Sequence, residues 1–142
     1  MERILAIRLM EEEQSRRLLE LALAELLKLE RGLSDAKLRE RAGRGLVWAS
    51  AASGEILDRI AGLEETRSAI SRASALVIRI RKAEERVILL RQDYLGRRTA
   101  RLQAETLADE ENAQQARIGI RKNQQALDDW YLNRRQSDEN SK

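Results

Sequence analysis

The chain has no cysteine, histidine, proline or phenylalanine. Each absence removes a class of function. Without Cys or His there is no thiol or imidazole nucleophile, no Ser-His-Asp triad, no structural zinc site and no disulfide framework. Carboxylates remain as acid–base groups, but neighbours such as Asp128 and Asp129, or Glu110 and Glu111, point in different directions on a helix and have no cleft around them. The reading is of a non-enzyme with no cofactor, no metal and no small-molecule substrate. Aromatics are scarce as well: Trp48, Tyr94, Trp130 and Tyr131 are too few to anchor a compact core. No stretch approaches the roughly 18 apolar residues of a membrane span. The opening Met1-Glu2-Arg3-Ile4-Leu5-Ala6-Ile7-Arg8 runs quickly into Glu11, Glu12 and Glu13, which leaves no room for a secretory apolar region. A cytoplasmic protein without membrane insertion is expected, and the missing cysteines fit a reducing compartment.

What is present points one way. The length, 142 residues, is about one domain. Ala, Glu, Lys, Leu and Arg fill 85 of those positions, above the level at which a long helix or coiled coil becomes the leading class. The 27 basic and 24 acidic residues are interleaved and describe a solvated surface. Residues 67 to 101 depart from that balance, with ten basic residues (Arg67, Arg72, Arg79, Arg81, Lys82, Arg86, Arg91, Arg97, Arg98, Arg101) against Glu84, Glu85 and Asp93. Such a segment suits an acidic partner. The run Arg79-Ile80-Arg81-Lys82 and the pair Arg97-Arg98 lack the interleaved aromatics and fold module of nucleic-acid binders, so nucleic acid is disfavoured.

Hydrophobic spacing gives the layout. Leu19, Ala22, Leu26, Leu29, Leu33 and Ala36 alternate at three and four residues, the pattern of a coiled-coil seam. Upstream, Ile4, Ile7, Leu18 and Leu21 read as the same stripe shifted by one residue. Four of the seven glycines, Gly43, Gly45, Gly54 and Gly62, fall within twenty residues, and glycine just past a helix end is the usual C-cap. The expected organisation is a single all-α, antiparallel two-helix coiled-coil hairpin over 1–142, with the second helix longer than the first. Helix 1 covers about 2–42, a connection about 43–54, helix 2 about 55–135, and a frayed tail 136–142. Ser50 or Ser53 would cap the second helix.

On this reading helix 2 opens with Ile56, Ile60, Leu63, Ile70 and Val77 on its seam. The seam then shifts to Ala73, Leu76, Ile80, Ala83, Val87 and Leu90, and ends with Ile88, Leu95, Leu102, Ile120, Leu127 and Trp130 in one weak frame. A turn near residue 48 would place Leu18 to Leu33 opposite Leu63 to Val77, and Ile4 to Met10 opposite Val87 to Leu90. Residues from about 97 to 135 would then project past the first helix. Two exposed candidates follow: the apolar tip Leu46-Val47-Trp48 with Ile56, Ile60 and Leu63, and the C-terminal Trp130-Tyr131 beside Arg134 and Arg135, which has the composition of a binding hot spot.

Taken together, the opening Met1 to Arg8, the Gly-x-Gly at Gly43 and Gly45 with Trp48 soon after, and the ending Gln124-Gln125-Ala126-Leu127-Asp128-Asp129-Trp130 followed by Arg134 and Arg135 resemble the FliJ/YscO family, the stalk proteins of type III secretion systems. The resemblance implies an antiparallel coiled coil similar to the central shaft of rotary ATPases. Its partners would be a hexameric secretion ATPase and the cytoplasmic ring of the export gate, with export chaperones as a further class. It would stimulate the ATPase during protein export at the cytoplasmic face of the inner membrane. Carried onto this chain, Arg117, Arg121, Trp130, Arg134 and Arg135 would enter the ATPase ring, and Leu46, Trp48, Ile56, Ile60 and Leu63 would face the gate. The rival readings are a structural or adaptor coiled coil, such as a homodimeric scaffold, and a basic nucleic-acid-associated helical protein.

Overall fold

The structure is a computed structural model that describes residues 2–141. It is all-helical, with α1 (Glu2–Ser53, 52 residues) and α2 (Ile56–Asn140, 85 residues), and no strand among the described residues. With Ala, Leu, Glu and Arg dominant and no proline, nothing in either segment interrupts the backbone ladder.

The connection is shorter and later than the glycine spacing suggests. α1 does not end near residue 42; it continues through Gly43 and Gly45 to Ser53, and the link is Gly54-Glu55 alone. Gly54 has φ +76°, and its N–H donates to the Ser50 carbonyl at 2.8 Å, the left-handed cap that closes a helix C-terminus. Ser50 and Ser53 belong to α1, and the Ser50 hydroxyl donates back to the Val47 carbonyl at 2.8 Å. Neither caps α2. That role falls to Glu55, whose carbonyl accepts from the Arg59 N–H at 3.2 Å. A Cβ at residue 54 would meet open space, so Gly54→Ala is expected to cost only the left-handed backbone strain, roughly 1 kcal/mol. A shift of the urea midpoint at unchanged helical signal measures it. At the far end α2 is helical to Asn140, beyond the expected 135, so most of the stretch read as a frayed tail is helix; Lys142 lies outside the described residues.

By its contacts the chain divides into two units, Glu12–Arg97 and Met1–Glu11 with Arg98–Lys142. In Glu12–Arg97 the buried residues of α1 fall seven apart without exception: Ser15, Ala22, Leu29, Ala36, Gly43 and Ser50. Leu19, Leu26, Leu33, Glu40 and Val47 lie half-buried between them. On α2, from Gly62 onward, the buried or half-buried positions are Gly62, Thr66, Ala69, Ala73, Leu76, Ile80, Ala83, Val87, Leu90, Tyr94 and Arg97, again alternating at four and three. Residue numbers fall on α2 as they rise on α1, since Gly32 lies against Leu76 and Gly43 against Gly62 and Thr66. Leu29, Ala36 and Leu76 form the buried cluster, with Leu33, Ala73, Ile80 and Ala83 packed on it.

Three expectations are corrected here. Ile4, Ile7, Leu18 and Leu21 are exposed, because the α1 seam keeps one frame and does not drift. Ile56, Ile60, Leu63, Ile70 and Val77 are exposed too, and the seam in that part of α2 is Gly62, Thr66, Ala69 and Ala73. The register moves with the later turn: Leu18, Leu21, Ala22 and Glu25 share a hollow with Ala83 and Arg86, beyond Val77, so of the stretch Leu18 to Leu33 only the end from Leu29 meets the expected range, at Leu76 and Ala73.

In the second unit, Leu5 and Arg8 of α1 are half-buried. On α2, Ala104 and Ala108 are buried, and Arg101 and Glu111 half-buried. One carboxylate oxygen of Glu111 is buried without a hydrogen-bond partner among the described residues. From Asn112 to Ser141 every residue is exposed. Leu102, Ile120, Leu127 and Trp130, expected on a weak seam, are among the exposed side chains.

Candidate functional site

Around the turn, Leu46, Trp48, Ile56, Ile60 and Leu63 are all exposed, with Trp48 at 81%. They do not form one surface. Trp48 and Leu63 line a hollow with Arg44, Val47, Ala51 and Thr66. Ile56 and Ile60 precede Leu63 by seven and three residues and so share its side of α2. Leu46 lies two residues from Trp48, about 200° around the helix, and belongs to the opposite flank. The Glu55 carboxyl at the start of α2 is held above its ordinary value by a hydrogen bond with Asp58. Two neighbouring carboxyls share a proton more readily than they carry two charges.

The C-terminal set also separates. The Trp130 and Tyr131 rings meet edge to face, with centroids 5.1 Å apart and planes at 73°. The Arg134 guanidinium carbon sits 5.2 Å from the Trp130 ring centre, a cation–π contact between positions one turn apart. At about 100° per residue, Ile120, Leu127, Trp130 and Arg134 share one face of α2, while Arg117, Arg121 and Arg135 cluster about 110° further around the helix. The sequence-level set of five therefore becomes an aromatic–arginine face and an arginine face. No helix among the described residues covers either.

Charge is distributed unevenly. α1 satisfies many of its charges locally, through Arg8–Glu11 at 3.1 Å, Arg16–Glu13 at 2.9 Å, Arg17–Glu13 at 3.3 Å and Arg44 with Glu40 at 2.6 Å. The hydrogen bond from Arg16, with a further one from Arg17, holds the Glu13 carboxyl below its ordinary value. On α2, Arg97 pairs with Asp93 at 3.6 Å and Arg101 with Glu105 at 2.8 Å. Arg67, Arg72, Arg79, Arg81, Lys82, Arg86 and Arg91 form no ion pair with any described residue. From Arg67 to Arg91 the basic segment is thus without ion-pair partners among the described residues, while Arg97 and Arg101 at its end are paired.

Sequence reasoning missed an uncovered apolar feature. Leu63, Ile70, Val77, Ile88 and Leu95, assigned to the seam by their spacing, make an exposed apolar line along α2. Residue size was the available signal: the seam beside it is built of Gly62, Thr66, Ala69 and Ala73, which let two backbones approach.

No group of three or more residues able to hold a metal ion occurs among the described residues. No helix among them is long and apolar enough to cross a membrane. No family model, curated protein or solved structure matches the chain.

Proposed function

We propose that the two helices form an antiparallel coiled coil, the second longer than the first, that serves as the central stalk of a type III secretion system. It couples a hexameric secretion ATPase to the cytoplasmic ring of the export gate and has no chemistry of its own. The observation that carries this reading is the stretch Asn112 to Asn140 of α2, a continuous helix without a covering partner that presents Trp130 packed with Arg134. A bare helix of this length gains its stability from what packs on it. A ring of ATPase subunits supplies such a surface. The resemblance of the opening, the Gly43 and Gly45 pattern and the ending to the FliJ/YscO family supports the same reading.

Mechanistically, one helix inside a six-fold ring cannot match all six subunits at once. Its contacts favour one subunit's conformation at a time, and differential binding of this kind is what shifts a catalytic cycle. Trp130 and Arg134 on one face, and Arg117, Arg121 and Arg135 on the other, give the helix two chemically distinct sides to present. The exposed residues around the turn, Trp48, Ile56, Ile60 and Leu63, are assigned to the export gate, and the protein to the cytoplasmic face of the inner membrane.

The test is ATP hydrolysis by the purified secretion ATPase of the same organism, titrated with this chain. A several-fold rise in rate is expected, and Trp130→Ala combined with Arg134→Ala is expected to remove most of it without changing helical content, since both side chains are exposed. An unchanged rate at saturating wild-type chain overturns the reading.

A further inference from the structure

We infer that the flank of the unit Glu12–Arg97 next to the turn docks an acidic amphipathic helix of another protein. The inference rests on the assignment of the turn to a protein partner, whose chemistry it names, and not on the coupling to ATP hydrolysis. A hollow of about 200 Å³ lined by Arg44, Trp48, Ala51 and Leu63 marks the flank, since both helices border it. The heptad frame of each helix gives the flank its depth. Lys37, Arg44 and Ala51 follow the half-buried Leu33, Glu40 and Val47 by four residues; Ile70 follows Thr66 likewise, with Leu63 seven before it. These lie about 50° off the seam at 3.5 residues per turn and form a floor. Arg41 and Trp48 come one residue after Glu40 and Val47, and Arg67 one after Thr66 with Ile60 seven before it. They lie about 100° off the seam and form the rims.

Charge selects the occupant. Over residues 34–51 and 56–74, floor and rims carry Lys37, Arg41, Arg44 and Arg67 and no carboxylate. Glu40, on the seam beneath, is taken up by Arg44 at 2.6 Å. Lys37, Arg41 and Arg67 are exposed and form no ion pair with any described residue. Because Gly43 lies against Gly62 and Thr66, Arg41 stands level with Arg67 across the groove, and Trp48 level with Ile60. The groove therefore has a cation on each side and exposed apolar side chains, Trp48, Ile60, Leu63 and Ile70, along it. Further along α1, Glu30 and Glu20 break the single sign, which limits the site to residues 34–51 of that helix, about 25 Å.

A helix about 10–12 Å across, with one apolar stripe and carboxylates along both its edges, matches this pattern. Its stripe covers the floor and seats one large side chain in the hollow, and its edges reach Arg41 and Arg67. An extended strand sends alternate side chains to opposite faces and cannot flank a stripe in this way. Nucleic acid has no apolar stripe to set on Leu63 and Ile70, and a flat anionic bilayer reaches the rims but not the floor. A second copy offering the same flank is opposed by sign, because cations would meet cations.

Fluorescence anisotropy of a labelled synthetic peptide, titrated with the full chain at physiological ionic strength, tests this. The peptide is a helix of about 25 Å, with leucine at alternating three- and four-residue spacing and glutamate on both edges. Saturable binding in the micromolar range is expected. Arg41→Glu with Arg67→Glu should weaken it at least tenfold and Trp48→Ala about tenfold, whereas Arg79→Glu, on the other flank of α2, leaves it unchanged. All four side chains are exposed, so the helical signal is kept. The same peptide with lysine in place of glutamate should bind the Arg41→Glu, Arg67→Glu protein and not the wild type. No binding of the acidic peptide overturns the inference, and so does binding indifferent to charge reversal. Duplex DNA or phosphatidylglycerol vesicles bound in its place, and released by the same double variant, would assign the flank to them and overturn it equally. Stimulation of the secretion ATPase without peptide binding would sink this inference and leave the stalk standing; peptide binding without stimulation does the reverse.

Discussion

Leu76→Ala is expected to destabilise the unit Glu12–Arg97 by about 2–3 kcal/mol, whereas Leu89→Ala, thirteen positions further along the same helix, should change it by less than about 0.5 kcal/mol. The residues are chemically identical and both helical, so intrinsic propensity contributes equally. Burial separates them: Leu76 is 7% exposed and Leu89 is 65% exposed. Leu76 sits in the cluster with Leu29 and Ala36, next to Ala73 and Ala83. Alanines have no side chain with which to refill the space, and a two-helix layer has no third element to move in. The same thinness lets water reach part of the void, which places the cost at the lower end of the range for buried leucines. In a small fold with marginal total stability, a loss of this size is a large fraction of the whole. Urea unfolding followed by the helical signal at 222 nm measures both variants. Equal midpoints would show that the cluster does not hold this unit together.

That contrast also explains how far the seam could be read from the sequence. Leu19, Ala22, Leu26, Leu29, Leu33 and Ala36 were legible because α1 there places its apolar residues and its buried positions in the same frame. The run Ala73, Leu76, Ile80, Ala83, Val87 and Leu90 was legible for the same reason. Elsewhere the two criteria part. Ile4, Ile7, Leu18 and Leu21 are more apolar than Arg8, Glu12 and Ser15, yet the latter lie on the seam and the former are exposed. Ile70 and Val77 are more apolar than Ala69 and Ala73, and again the smaller residues are inside. A periodicity search finds the oiliest stripe. Close helix packing takes the stripe of smallest residues when it repeats every seven positions on both helices. The oilier stripes are then left outside, where they become candidate contacts with other chains. Among the candidate site residues, exposure was legible from their position near a turn or at a bare helix end. Their division into faces was not, since it depends on helical phase, which a list of neighbouring residues does not carry.

The glycines give the second large effect, and its sign reverses between neighbours. Gly→Ala inside a helix ordinarily gains roughly 0.5–1 kcal/mol, because glycine loses more backbone freedom on folding. Gly45→Ala should show that gain, since a Cβ there meets nothing within 4 Å. Gly43→Ala should show the opposite. Its Cβ would lie 2.9 Å from the Gly62 carbonyl oxygen and 2.9 Å from the Thr66 backbone nitrogen. Both are main-chain atoms that no side-chain rotation can remove. Gly62→Ala mirrors it, with the Gly43 carbonyl oxygen and a Val47 methyl each at 2.8 Å. Either change must push α1 and α2 apart near the turn, at a cost of about 1–3 kcal/mol for overpacking that outweighs the propensity gain. The double variant should cost less than the sum of the two singles, because one separation of the helices accommodates both methyl groups. Thermal or urea midpoints of the four proteins, compared with wild type, decide it. If Gly43→Ala and Gly45→Ala both raise the midpoint, the helices do not approach backbone to backbone at this level.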